Sequence, residues 1–286
     1  MKTKKTCATW ASSRFCLLSL ACIAAYAQWL NYPTPGTPRT PDGKPNLAAP
    51  APRALDGHPD LSGVWHVHPA SLAEMKRIFG DKAGDANVPG MEIDTLSKYA
   101  LNIFVDFPPG QAPLQPHAAD IFRRRLQDGE TRPTCLPVGI PAAGLVSEPF
   151  KISQSPRLIV ILYESDGTHR QIYTDGRELP KQFEQPAWLG YSAAKWEGDT
   201  LVVQSAGFND KTWLDLNGHP HSEALRITER YQRRDFGHMD LEMIFTDPEM
   251  YTKPFSIKVA EDLWPDSDIF EYFCDENEKD SAHVVK

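Results

Sequence analysis

The sequence predicts a mainly β protein: an antiparallel meander closing into a barrel, with a helical insertion after the first strand. Three observations carry this expectation. From Arg157 onward, β-branched and alternating apolar runs recur at about ten-residue spacing, the rhythm of hairpin strands. Turn residues separate them at Glu164-Ser165-Asp166-Gly167, Glu197-Gly198-Asp199 and Asp235-Phe236-Gly237, with no helical pattern between. Between Ser71 and Gly129 the apolar spacing turns helical instead.

Taken in order, the chain of 286 residues opens with Lys2, Lys4, Lys5 and Arg14, then an apolar run from Phe15 to Ala25 ending in Ala25-Tyr26-Ala27. A charged start, a short apolar core and a small-x-small exit predict a signal peptide over 1–27 and a secreted or periplasmic protein. The run is too short to span about 30 Å of hydrocarbon, so no membrane span is expected after cleavage. Removal of four basic residues leaves 30 − 4 = 26 basic against 38 acidic, a net charge of −12. An acidic surface repels phosphate backbones, which argues against a nucleic-acid partner.

Cleavage also removes Cys7, Cys16 and Cys22. The remaining Cys135 and Cys274 are expected to pair in an oxidising compartment, with two free thiols as the alternative.

Residues 28–60 are proline-rich and read as a linker, with a clamp along the domain surface as the functional alternative. They hold a short duplication: Asp42-Gly43-Lys44-Pro45-Asn46-Leu47 returns as Asp56-Gly57-His58-Pro59-Asp60-Leu61. The barrel domain is expected over 61–286. Leu61 to Val67 is its first strand, and Gly63-Val64-Trp65 is similar to the Gly-x-Trp entry of lipocalin-type barrels. The helical insertion, 71–129, begins with Ser71-Leu72-Ala73-Glu74, a capping-box pattern before Met75 to Phe79. Further helices are expected over Glu92–Ile103 and His117–Leu126, where Arg123, Arg124 and Arg125 read as a solvated face rather than an anion site. Strands are expected over Arg157–Tyr163, Thr168–Thr174, Tyr191–Trp196, Thr200–Gly207, Leu225–Tyr231, Met239–Phe245, Phe255–Val259 and Ile269–Phe273.

The most chemically loaded stretch is the loop from Asp215 to Glu223. Asp215, His219 and His221 are its candidate catalytic residues, with Asp215 orienting a histidine base toward Ser222 or Tyr191. His219 and His221 also have the spacing of a metal pair, with His66 and His68 as further donors, but two pairs do not make a converging site. No metal or cofactor is expected, since no phosphate-cradling loop, Cys-x-x-Cys or dinucleotide fingerprint is present. Trp188, Tyr191, Phe208 and Trp213 are the candidate ligand-binding aromatics.

Asp60-Leu61-Ser62-Gly63-Val64-Trp65, Cys135-Leu136-Pro137, Tyr173 to Pro180, Trp196 to Val203, Trp213-Leu214-Asp215, His219-Pro220-His221-Ser222 and Cys274 to Glu278 together resemble a family of secreted soil-bacterial proteins that is functionally uncharacterised. The resemblance implies a lipocalin-like β-barrel and no particular activity. The expected function is binding of a small, largely apolar molecule at the barrel mouth. The alternatives are an isomerase or hydrolase using the Asp/His loop, and a cell-envelope interaction module using the proline-rich lead-in.

Overall fold

The computed structural model describes residues 32–80, 96–128 and 136–271. The expected leader and both Cys135 and Cys274 lie outside the described residues. Nine strands close into one barrel in chain order: β1 (Gly63–Val67), β2 (Phe150–Ser155), β3 (Leu158–Tyr163), β4 (His169–Tyr173), β5 (Tyr191–Glu197), β6 (Thr200–Ala206), β7 (Arg226–Arg233), β8 (His238–Thr246) and β9 (Phe255–Leu263). Closure pairs β9 with β1 through Trp65↔Leu263 and Val67↔Glu261. Among the described residues no helix is long and apolar enough to cross a membrane.

The barrel is mixed rather than wholly antiparallel. β4 and β5 run parallel and share only the pairs Ile172↔Ser192 and Tyr173↔Ala193. Parallel neighbours need a crossover that returns the chain to its starting end, which residues 174–190 supply. Two other expectations change. β2 carries no clear sequence signal, because its inward apolar residues, Phe150 and Ile152, give too short an alternation to mark a strand. The expected strand at Ile269 is not formed over 269–271, since β9 already closes the sheet.

Period-two alternation sorts each strand between core and solvent. β8 buries Met239, Leu241, Met243 and Phe245, and β9 buries Phe255, Ile257 and Val259. Each such side chain contributes about 1.5–3 kcal/mol of burial. Gly63, at φ 145°, lies where a Cβ would sit 2.5 Å from Leu263 Cδ1. That close approach seats Trp65 in the core, its Nε1 donating to Leu61 O (2.9 Å) beneath the Arg233 guanidinium.

Among the described residues two helices occupy the insertion, α1 (Leu72–Phe79) and α2 (Pro116–Asp128). Ser71 caps α1 by accepting from Glu74 N (3.2 Å). The expected helix over 92–103 is not formed in its described part, 96–103, which is a run of turns. Its backbone is bonded elsewhere: Leu216 N donates to Ala100 O (2.8 Å) and Ile103 N to the Asp215 carboxylate (2.8 Å).

The proline-rich stretch is more than a spacer. Its duplication is a duplicated structure: Thr40 N donates to Lys44 O and Asn46 N to Pro38 O, and Ala54 N donates to His58 O and Asp60 N to Pro52 O. In each copy the arginine donates to the glycine carbonyl of its own turn (Arg39 to Gly43, Arg53 to Gly57) and forks onto a barrel carboxylate. Arg39 holds Asp266 (2.6 and 2.7 Å), and Arg53 holds Asp199 (2.7 and 2.8 Å). His58 stacks on Trp196 (4.7 Å), and Gly237 N donates to Leu47 O (2.8 Å). The segment straps the barrel end that carries the β5–β6 and β7–β8 turns.

Candidate functional site

Three regions hold the polar and aromatic residues from which a site can be built. The first is the loop after β6. Asp215 is 1% exposed, His219 3% and His221 2%, so none of the three candidate catalytic side chains faces solvent. Asp215 Oδ1 accepts from the backbone N–H groups of Asn217 (3.1 Å), Gly218 (3.0 Å) and His219 (3.2 Å). Its Oδ2 accepts from Ile103 N (2.8 Å) and pairs with His219 Nδ1 (2.5 Å). Five bonds saturate the carboxylate and pin the loop to the insertion, which is a folding role.

The two histidines go to different partners. His219 stacks on Phe122 (3.8 Å between centroids) with its edge at Phe104. His221 donates from Nδ1 to Ser222 O (3.2 Å), leaving Nε2 to accept from the Thr212 hydroxyl (2.6 Å). Burial lowers the His221 pKa below the ordinary histidine value, consistent with that neutral tautomer. Ser222 is bound in turn by Asp247 through both its N–H (2.7 Å) and its hydroxyl (2.8 Å). Among the described residues no group of three or more His, Cys, Asp or Glu side chains is placed to hold a metal ion. His66 and His68 bond instead to Val67 O (3.1 Å) and Asp262 (2.6 Å).

The second region is the barrel lumen. Arg170 projects inward from β4, 2% exposed. Its Nε donates to Ser192 Oγ (3.1 Å), its Nη2 to Ser205 Oγ (2.7 Å), and its two Nη atoms fork onto the Glu229 carboxylate, Nη1 at 2.9 Å. Tyr231 OH donates to Glu229 Oε1 (2.9 Å). Burial pulls the Arg170 pKa down, but Glu229 reverses this and holds the guanidinium charged. Burial also pushes Tyr163 up to about 12 and Tyr231 well above the ordinary range. Glu261 enters the same lumen from β9, fully buried, and neither carboxyl oxygen has a hydrogen-bond partner among the described residues.

Of these lumen residues the sequence marks Glu229, as half of a structural ion pair with Arg230; the structure pairs it with Arg170 instead, and Arg230 with Glu197. A signal existed: Glu229 sits in phase with Leu225, Ile227 and Tyr231, and Glu261 in phase with Phe255, Ile257 and Val259. A charge on the apolar face of a strand must be paired or neutral inside.

The third region is a cleft of about 420 Å³ at the parallel seam. Beyond the two shared pairs β4 and the approach to β5 diverge, with His169 to Gln171 on one side and Trp188 to Tyr191 on the other. Tyr173 and Pro137 complete the wall, and Arg170 and Ser192, whose side chains belong to the lumen network, line it as well. Gly190 shapes this wall: at φ 61° it takes a backbone that L side chains rarely adopt, and a Cβ there would lie 2.8 Å from Phe208 Cε1. Lys211 Nζ stands 5.9 Å from the Trp188 ring centre at the cleft's edge.

The structure thus divides the four candidate aromatics. Trp188 and Tyr191 line the cleft, Tyr191 with 41% exposure. Phe208 is 1% exposed in the core, and Trp213 is 6% exposed beneath Arg125, which donates to Gly218 O (2.8 Å). Of the other two arginines on α2, Arg123 pairs with Asp120 (2.6 Å) and Arg124 donates to Asp120 O (3.4 Å). Comparison with family models, with curated proteins and with solved structures gave no match.

Proposed function

We propose that this is a secreted β-barrel protein that binds a small, largely apolar molecule, and that the cleft between β4 and β5 is where it binds. The observation that supports this is the coincidence of volume and lining. At about 420 Å³ the cleft falls in the range of small-molecule sites, with aromatic walls and a few fixed polar groups. A planar ligand would stack on Trp188 or Tyr191 and present a polar edge toward Ser192. The lumen is less suited, because its void amounts to about 10 Å³.

The test is a fluorescence titration of the folded protein with apolar probes, an anilinonaphthalene sulfonate among them. Saturable one-to-one binding is expected. A folded protein that binds no probe removes the proposal.

The enzyme reading loses its main support, since Asp215, His219 and His221 line neither the cleft nor the lumen void. The interaction-module reading is favoured by the filled lumen, but the lead-in it relies on already spends both arginines on its own barrel.

A further inference from the structure

Glu261 presents a problem that the lumen itself answers. A buried carboxyl costs free energy comparable to a lost hydrogen bond, or more, for each polar atom left without a partner. Both oxygens of Glu261 are in that state, on a fully buried side chain. In register, Glu261 stands between Val67 of β1 and Met239 of β8, and neither offers a side-chain donor. The space it lines measures about 10 Å³; Tyr163, Glu229 and Tyr231 are its other polar side chains, and the rest of its wall is the Ile140-Pro141 turn and apolar side chains of β2, β3 and β8. That volume matches one water, and a buried water needs two to four polar partners.

We propose that the lumen is a binding site for a single water molecule, held by the Glu261 carboxylic acid and the polar groups that face the same void. The occupant is neutral, which follows from the charge count. Arg170 is already matched one-to-one by Glu229. The other buried arginine on this face, Arg233, stands two strands from Glu261 in register and is taken up by the backbone carbonyls of Asp60, Asp235 and Phe236, so an ionised Glu261 would have no cation bonded to it among the described residues. Burial, with the nearby Asp262 charge, pushes the Glu261 pKa well above the ordinary carboxylate range, in agreement with the acid form. Bound in this way, Glu261 donates its O–H to the water or accepts from it, and the lumen network extends from Ser192 at the cleft to β9.

The test is a pair of high-resolution crystal structures, wild type and Glu261→Met, joined by thermal melts in sodium, potassium and calcium salts. One ordered water within about 2.6–3.2 Å of a Glu261 oxygen is expected in the wild type. It should be lost in Glu261→Met, and the melting temperature should be the same in all three salts. A dry void in the wild type overturns the proposal. So does a cation, recognised by shorter ligand distances and a melting temperature raised by one salt. Should Glu261→Met not fold, the wild-type density and the salt series decide alone, and Glu261→Gln, which keeps a donor and an acceptor, is expected to retain the water.

Discussion

Two buried polar regions lie in this barrel, and they differ in how their carboxylates are satisfied. In the loop after β6, Asp215 accepts five hydrogen bonds, four of them from backbone N–H groups. In the lumen, Glu229 is held by side chains alone, and Glu261 by nothing among the described residues. Backbone donors fix a loop, so the first carboxylate is part of the fold's construction. Side-chain donors around a void hold chemistry that backbone does not dictate. The loop rich in histidine is therefore held by backbone, while the lumen and the adjoining cleft are lined by side chains whose placement the backbone does not fix.

The comparison can be broken by substitution. The largest effect is expected at Arg170→Met, which strands Glu229 without its counter-charge and should cost about 3–5 kcal/mol in denaturant unfolding. Arg170→Met with Glu229→Leu should recover most of that loss. A double variant as unstable as the single one would mean that the pair does not account for the cost.

Next comes Asp215→Ala, expected to cost about 3 kcal/mol by orphaning buried N–H groups, with cleft binding intact once the protein is folded. Loss of binding at full stability would instead give the loop a functional role.

A smaller effect, of opposite sign, is expected at Glu261. Its folded pKa is raised above its unfolded value, so its contribution to stability is complete below the ordinary carboxylate range and is lost as pH rises toward the folded pKa. Glu261→Gln should leave the melting temperature unchanged near pH 4 and raise it at pH 8, by about 2–4 °C for each 1 kcal/mol gained. Equal stability of the two proteins across that range would show that the carboxyl ionises inside the fold at no cost.

The smallest effect is expected at Arg53→Met, an exposed contact whose loss should expose the strap to proteolysis with little change in melting temperature.

Much of this architecture is readable from residues. The hairpins from β7 to β9 follow from alternation and turn chemistry, and the start of α1 from Ser71. The parallel β4–β5 seam does not, because residues 174–190 look like any polar loop until the direction of return is known. The helix expected near Ile103 fails because the Ile103 N–H is claimed by Asp215, more than a hundred residues away, and the Ser97 N–H by Leu145 O. The site divides in the same way. Trp188 and Tyr191 were recognisable as aromatics with a polar context, but nothing in their spacing separates them from Trp213, which Arg125 and α2 cover. Arg170 meets Glu229 only because both side chains enter the lumen, with Ser192 of β5 and Ser205 of β6 between them.

The most direct test of the account is probe binding by Trp188→Ala set beside Trp213→Ala, each checked for folding. The cleft reading predicts that Trp188→Ala loses saturable binding and Trp213→Ala keeps it. Binding that survives Trp188→Ala and disappears with Trp213→Ala would contradict it and return the site to the loop after β6.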